Sequence, residues 1–160
     1  MKTRVGIGYD SHRFGPGDGI VLGGVKIPAA VRLIGHSDAD AVAHAVTDAI
    51  LGGAGVGDIG KFFPDTDAAN KNRNSIEMLR RSVGLVFETG FRPAQVDITV
   101  ICERPKIGPH RDAMRQVLAD ALGIAVSEVM VKGKTNEGMG WIGREEGVAV
   151  IAVAQLEEIP

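Results

Sequence analysis

Cysteine is almost missing from this chain: among 160 residues only Cys102 is present. Neither an internal disulfide nor a CxxC zinc ribbon or dithiol motif can be built from it, which points to a reducing compartment. Long apolar runs are missing too. No window approaches the ~18 uninterrupted apolar residues of a membrane span, and the opening MKTRVGIGYD has no apolar stretch of the signal-peptide kind. A cytoplasmic location, or an organelle matrix, is the expectation. Positive charge is not in excess, since 18 Lys and Arg stand against 20 Asp and Glu for a net charge of −2. Without a basic field the chain has no general hold on a polyanion, which argues against non-specific nucleic-acid binding. Internal repeats, linkers and low-complexity tracts are absent as well.

What is there suits one folded unit. Hydrophobic residues make up 44% of the chain, enough to offset the entropy of ordering it. The length falls inside the roughly 100 to 200 residues of a typical domain, so a single domain over residues 1–160 is expected. The 22 glycines are about twice the usual ~7% share. They imply tight turns and close backbone approaches, as in a ligand-binding scaffold.

Val5, Ile7 and Tyr9 alternate with Gly6, Gly8 and Asp10, the period of a strand whose second face is nearly bare. Ile20 to Pro28 reads as a short hairpin around Gly23 and Gly24. Val42, Ala45, Val46, Ala49 and Ile50 recur at helical spacing, which predicts a helix to about Leu51 with Ser37 or Asp38 as its N-cap. Residues 52–67 form a long connection without periodicity, a kind that in compact domains is usually functional or disordered; its two aromatics, Phe62 and Phe63, argue against disorder. A second helix is predicted over Asn74 to Glu88 and a third from Pro109 to Gly123. Strands are predicted at Val96 to Val100, Val129 to Lys132 and Val148 to Leu156. The last two are separated by the polar run Gly133 to Gly147.

Three groups of residues have the makings of chemistry. Asp10 and His12 lie two apart at a strand end and therefore point to one side. His44 offers a third ligand from the polar face of the first helix, where Asp40, His44 and Asp48 recur at i, i+4 and i+8. A carboxylate and two imidazoles suit Zn²⁺ with its fourth position open, and Asp40 or Asp48 is placed to orient His44. Against this stands the plainer reading of a chance DxH and a solvated histidine. The run Lys132 to Arg144 combines lysines, Thr135, Asn136, Glu137 and glycines, suited to phosphate oxygens and a hard cation, although a solvated loop has the same composition. Cys102 to His110 ends a strand and opens a helix, where free backbone amides meet anions or are simply capped.

The segments GYDSHRF, LIGHSDADAVAHAVTDAILG, GDIGKFFPDTD, RPKIGPH and VKGKTNEGMGWIGREEG, in this order, closely resemble the 2-C-methyl-D-erythritol 2,4-cyclodiphosphate synthases of the non-mevalonate isoprenoid pathway. The resemblance covers essentially the whole chain, and HSDxDxxxHxxxDA with GDIGxxFPDTD is a highly specific combination. It implies an α/β (α+β) subunit, a mixed sheet with helices packed on one face, assembled as a homotrimer with active sites between neighbours. It also implies the stand-alone enzyme, without the cytidylyltransferase domain that some relatives carry upstream. The metals implied are Zn²⁺, or another divalent transition metal, at Asp10, His12 and His44, and Mg²⁺ or Mn²⁺ at Glu137.

By position in the same resemblance, His36 and Ser37 match residues near the substrate's 2-phosphate, and Asp58 and Gly60, with Ile59 between them, match ribose contacts. Cys102, Lys106 and Gly108 belong to the cytidine pocket, and Lys134, Thr135 and Asn136 fall where phosphates are held. Phe63, Asp65 and Asp67 flank the erythritol. Trp141 stands where relatives often carry phenylalanine, and Arg144 resembles an anion-contacting residue. His36 and Thr135 are the implied catalytic residues. The implied reaction closes 4-diphosphocytidyl-2-C-methyl-D-erythritol 2-phosphate into the 2,4-cyclodiphosphate and releases CMP. A metal-dependent phosphohydrolase and a trimeric small-molecule-binding module are the competing readings.

Overall fold

A computed structural model describes residues 1–160. In chain order the elements are β1 (Thr3–Pro16), β2 (Ile20–Leu22), β3 (Val25–Ile27), β4 (Val31–Ile34), α1 (Ala41–Ala54), α2 (Ile59–Phe62), α3 (Ser75–Phe87), β5 (Phe91–Ile101), α4 (Arg111–Leu122), β6 (Val129–Lys134), α5 (Gly140–Gly143) and β7 (Gly147–Glu158). Five strands form one mixed sheet in the order β4-β1-β7-β5-β6, with only β5 and β6 parallel, while β2 and β3 make the separate hairpin expected around Gly23 and Gly24. Helices cover one face of the sheet. Val42, Val46 and Ile50 of α1, Leu79 and Val86 of α3, and Met114 and Leu118 of α4 share one buried cluster with Ile98, Val100, Val131, Val150 and Leu156 of the sheet.

The glycines of β1 determine how closely α1 lies on the sheet. A Cβ on Gly6 would stand 1.8 Å from the Ala49 carbonyl oxygen, and one on Gly8 would stand 1.8 Å from that of Ala45. Only glycine permits this contact, so the bare face of β1 is the one that meets the helix. Val5, Ile7 and Tyr9 consequently turn away from the core and are 67%, 70% and 56% exposed. Ile7 lies opposite Val153 and Tyr9 opposite Ile151 across the β1–β7 ladder. With Met130 these side chains form an uncovered apolar sheet face, the reverse of an ordinary half-buried strand.

Four boundaries differ from the sequence reading. Strand β1, expected to end at Asp10 and His12, runs on to Pro16 because β7 and then β4 continue to pair with it, so both residues lie within the strand. The N-cap of α1 is Asp40, not Ser37 or Asp38: its carboxylate accepts the Ala43 N–H and also reaches back to the Gly23 and Gly24 N–H groups of the hairpin. Fully buried, Asp40 pins the hairpin to the helix and does not share the face of His44; an N-cap residue lies outside the helical repeat that suggested it. Helix α1 continues through Gly52 and Gly53 to Ala54, where Gly55 in the left-handed region ends it. Strand β5 starts at Phe91, not Val96, because a bulge at Pro93/Gln95 breaks the alternation there. The short β4, α2 and α5 carry no periodic signal at all. Helix α3, capped by Asn74, and helix α4, closed by Gly123, follow the expectation closely. No helix is long and apolar enough to cross a membrane.

Candidate functional site

Alternation along β1 carries Asp10 and His12 onto the helix-facing side, just beyond the glycines that seat α1, and the first turns of α1 bring His44 over them. Asp10 Oδ2 lies 2.8 Å from His12 Nε2 and 3.1 Å from His44 Nδ1, and the two ring nitrogens are 3.3 Å apart. His12 Nδ1 is 3.0 Å from the Ile34 carbonyl oxygen. A carbonyl only accepts, so His12 carries a proton at Nδ1, and in the neutral ring Nε2 turns its lone pair toward the Asp10 carboxylate. Two acceptors facing each other at this distance require positive charge between them, a proton or a metal cation.

Acidities in the site express the same demand. Burial disfavours charge on both groups, yet the close contacts with the His12 and His44 rings hold Asp10 below the usual carboxylate range. Asp10 in turn lifts His12 above the ordinary histidine value, against the burial that would lower it. One carboxylate and two imidazoles, with ligand atoms within 4.8 Å of one another, match the donor types and number of a three-ligand zinc site with a position left open.

The three side chains open into a cavity of about 520 Å³ whose walls include His36, Ser37, Ile59, Gly60, Phe63 and Asp65. Six more of the expected residues are thus gathered beside the triad. Asp58 caps α2 by accepting the Lys61 N–H, and Asp48 accepts the Ile59 N–H at 2.7 Å. Asp48 therefore ties α2 to α1 and does not hold the His44 ring; with Asp40 already engaged in capping, neither carboxylate expected behind that ring is there. Phe63 is buried, its ring 5.0 Å from the Arg73 guanidinium and 5.7 Å from that of Arg81, which anchors the loop after α2. Asp67 accepts the Ala69 N–H, and its carbonyl oxygen lies 3.4 Å from His36 Nε2.

A second, smaller cavity of about 240 Å³ lies at the carboxyl ends of the parallel pair β5 and β6, lined by Cys102, Lys106, Gly108, Lys134 and Thr135. Burial, with Glu103 beside it, pushes the Cys102 thiol up to about 11, so it forms a wall and is no nucleophile. Glu103 shapes the loop that follows β6 by accepting the Asn136 and Gly138 N–H groups, both at 2.7 Å. Glu137 stands between them, exposed and in the left-handed region at φ 53°. Trp141 shares a shallow depression with His12 and Glu146, and Arg144 pairs with Glu146 at 2.6 Å. None of the expected residues lines both cavities.

Sequence reasoning missed the part that three residues play in organising these sites: Glu103, given no role of its own, Asp38, read only as a helix cap, and Ser75. Ser75 Oγ lies 2.8 Å from His44 Nε2 and donates to Asp38. A serine opening a helix suggests only capping, and nothing in the chain marks that it meets a histidine 31 positions away.

A profile of the YgbB family matches residues 3–157. A 2-C-methyl-D-erythritol 2,4-cyclodiphosphate synthase of Gemmatimonas aurantiaca is 62% identical over 98% of this chain and 94% of its own length. One from Symbiobacterium thermophilum is 55% identical over 94% of this chain and 96% of its own. Among solved structures, the bifunctional IspDF from Campylobacter jejuni superposes with a TM-score of 0.95 at 41% identity, covering 99% of this chain and 43% of that one. IspF of Plasmodium falciparum in its CDP complex gives 0.87 at 35% identity over 99% and 97% of the two chains.

Proposed function

The chain belongs to the YgbB family, and on that premise we propose how its residues divide the work of the family's reaction. It converts 4-diphosphocytidyl-2-C-methyl-D-erythritol 2-phosphate to 2-C-methyl-D-erythritol 2,4-cyclodiphosphate and releases CMP in isoprenoid biosynthesis, as a phosphorus-oxygen lyase. An oxygen of the 2-phosphate bonds to the β-phosphorus while the bond from that phosphorus to CMP breaks, and CMP departs with the electron pair. The nucleophile is already anionic near neutral pH and the leaving group is a phosphate. No serine, cysteine or dedicated general base is therefore needed, in keeping with an inert Cys102. The task is to bring anions together in line and to keep water away.

The observation that carries the residue assignment is the convergence of Asp10, His12 and His44 at the mouth of a cavity walled by His36 and Ser37. Asp10, His12 and His44 would hold Zn²⁺ or another divalent transition metal, which would supply positive charge against the diphosphate and polarise its oxygens. His36 and Ser37 hold the 2-phosphate, with Phe63, Asp65 and Asp67 flanking the erythritol and Asp58, Ile59 and Gly60 meeting the ribose. Cys102, Lys106 and Gly108 receive the cytosine largely through backbone groups, and Lys134, Thr135 and Asn136 meet the phosphates. Glu137 offers an exposed carboxylate without a partner in its own chain, suited to Mg²⁺ or Mn²⁺, which bind through one carboxylate plus substrate phosphates.

Because one chain keeps the two cavities apart, the working site is composed of the triad cavity of one subunit and the cytidine cavity of its neighbour. The uncovered apolar sheet face around Ile7, Tyr9, Ile151 and Val153 supports a homotrimer that brings them together.

Turnover in water enriched in oxygen-18 tests the reaction. If the 2-phosphate is the nucleophile, CMP and cyclic product both lack solvent oxygen, whereas a hydrolase working through metal-activated water leaves label in one product. Label in the main product overturns the assignment.

A further inference from the structure

We propose that Asp38 and Ser75 form a positioning relay that sets the tautomer of His44 and so decides which of its ring nitrogens faces the metal. The inference rests on Asp10, His12 and His44 being a metal centre. The direction of every bond in the relay follows from what each group has to give. Asp38, in the turn between β4 and α1, accepts the Ser75 N–H at 3.1 Å, the Ser75 hydroxyl, and the Asp40 N–H at 3.2 Å. A carboxylate surrounded by three donors, two of them backbone amides, is an acceptor only. Ser75 has one proton, and it points to Asp38. Its oxygen is left to accept from His44 Nε2, 2.8 Å away.

His44 must then carry its proton at Nε2 and keep a lone pair at Nδ1. That lone pair is directed at Asp10 Oδ2, 3.1 Å away, and His12 Nε2, 3.3 Å away. Ser37 Oγ also lies 3.0 Å from His44 Nε2, but no carboxylate holds its proton, so it fits either tautomer and imposes neither. Ser75 is fully buried, and water does not compete for the bond. The relay is a carboxylate-to-histidine contact, of the kind that orients metal-bound imidazoles, with a serine inserted. It also links the metal ligand on α1 to the start of α3.

Long-range proton–nitrogen NMR of the unmodified, metal-free protein, at a pH where the ring is neutral, reads the tautomer directly. A His44 proton at Nε2 is expected, and one at Nδ1 overturns the relay. Zinc affinity by chelator competition gives the second reading. Ser75→Ala should weaken it about 10- to 100-fold with circular dichroism unchanged. Asp38→Asn should weaken it as well although it preserves size, since its NH2 then faces one of the donors that the carboxylate accepts and loosens the hold on Ser75. Ser75→Thr, which keeps the hydroxyl, should recover most of the loss. A folded Ser75→Ala within about threefold of the unmodified protein overturns the relay, and if that variant fails to fold the NMR result still decides. An unmodified protein that shows the Nε2 proton but binds no zinc refutes the metal centre and leaves the relay standing.

Discussion

His44 illustrates how much one side chain in this protein depends on its surroundings. Its sequence position assigns it to the polar side of a helix, yet its ring is largely buried and every nitrogen is engaged. His44→Ala is expected to lose bound zinc and turnover while circular dichroism remains native-like, because the ring serves the site more than the core. The loss of turnover should exceed the ~10- to 100-fold that removal of an orienting partner costs. Full zinc occupancy in a folded His44→Ala protein, by atomic absorption, refutes its role as a ligand.

The raised His12 value sets a second expectation. In the metal-free protein the Asp10–His12 ion pair contributes its full stability below the unfolded value of about 6.5 and loses it as pH rises through the raised folded value. Asp10, held below its ordinary value, stays ionised throughout. Zinc bound here would replace the proton between these groups, and its binding would strengthen as the protons leave. The Tm gap between zinc-loaded and metal-free protein should therefore widen from about pH 6 to about pH 8, and calorimetry showing a constant or narrowing gap counts against this account.

At the scale of elements, the contact of α1 with β1 does most to place the ligands. Because the helix rests on bare backbone at Gly6 and Gly8, Asp10 and His44 meet at hydrogen-bond distance. Adding one methyl at Gly8 forces the helix off a carbonyl oxygen that no rotamer change can move. Gly8→Ala should destabilise by about 3 kcal/mol, the upper end of overpacking costs, or roughly 6 to 12 °C in Tm for a chain of this size. It should weaken zinc binding at the same time by separating α1 from β1. A Gly8→Ala protein with unchanged Tm and zinc affinity would show that the contact is looser than the geometry states.

For the whole molecule, the uncovered sheet face is the dominant feature. Val5, Ile7 and Tyr9 on β1 and Ile151 and Val153 on β7 form an apolar surface that a lone chain leaves to water. If the face is the trimer interface, Ile7→Glu should give monomers in sedimentation that stay folded, since Ile7 is 70% exposed within the subunit and contributes little to its core. Turnover should fall with the trimer, because the cytidine and metal cavities then no longer meet. An Ile7→Glu protein that remains trimeric and active removes this face from the interface.

The sequence alone determined the helices α3 and α4, the β2–β3 hairpin and the central strands, and it singled out Asp10, His12 and His44 as candidate metal ligands. Periodicity, caps and turn glycines are local, and the HSDADAVAH and GDIGKFFPDTD segments are specific in their order and spacing. Tertiary structure alone decided three matters. Asp40 became a buried pin because the hairpin's free amides arrive from another part of the chain. The alternation of β1 shows two faces but cannot say which meets the core; the packing of α1 on glycine backbone turned the apolar face outward. The Asp38–Ser75–His44 relay exists only where the turn after β4, the start of α3 and the first turns of α1 meet, a contact between distant segments that no local pattern encodes.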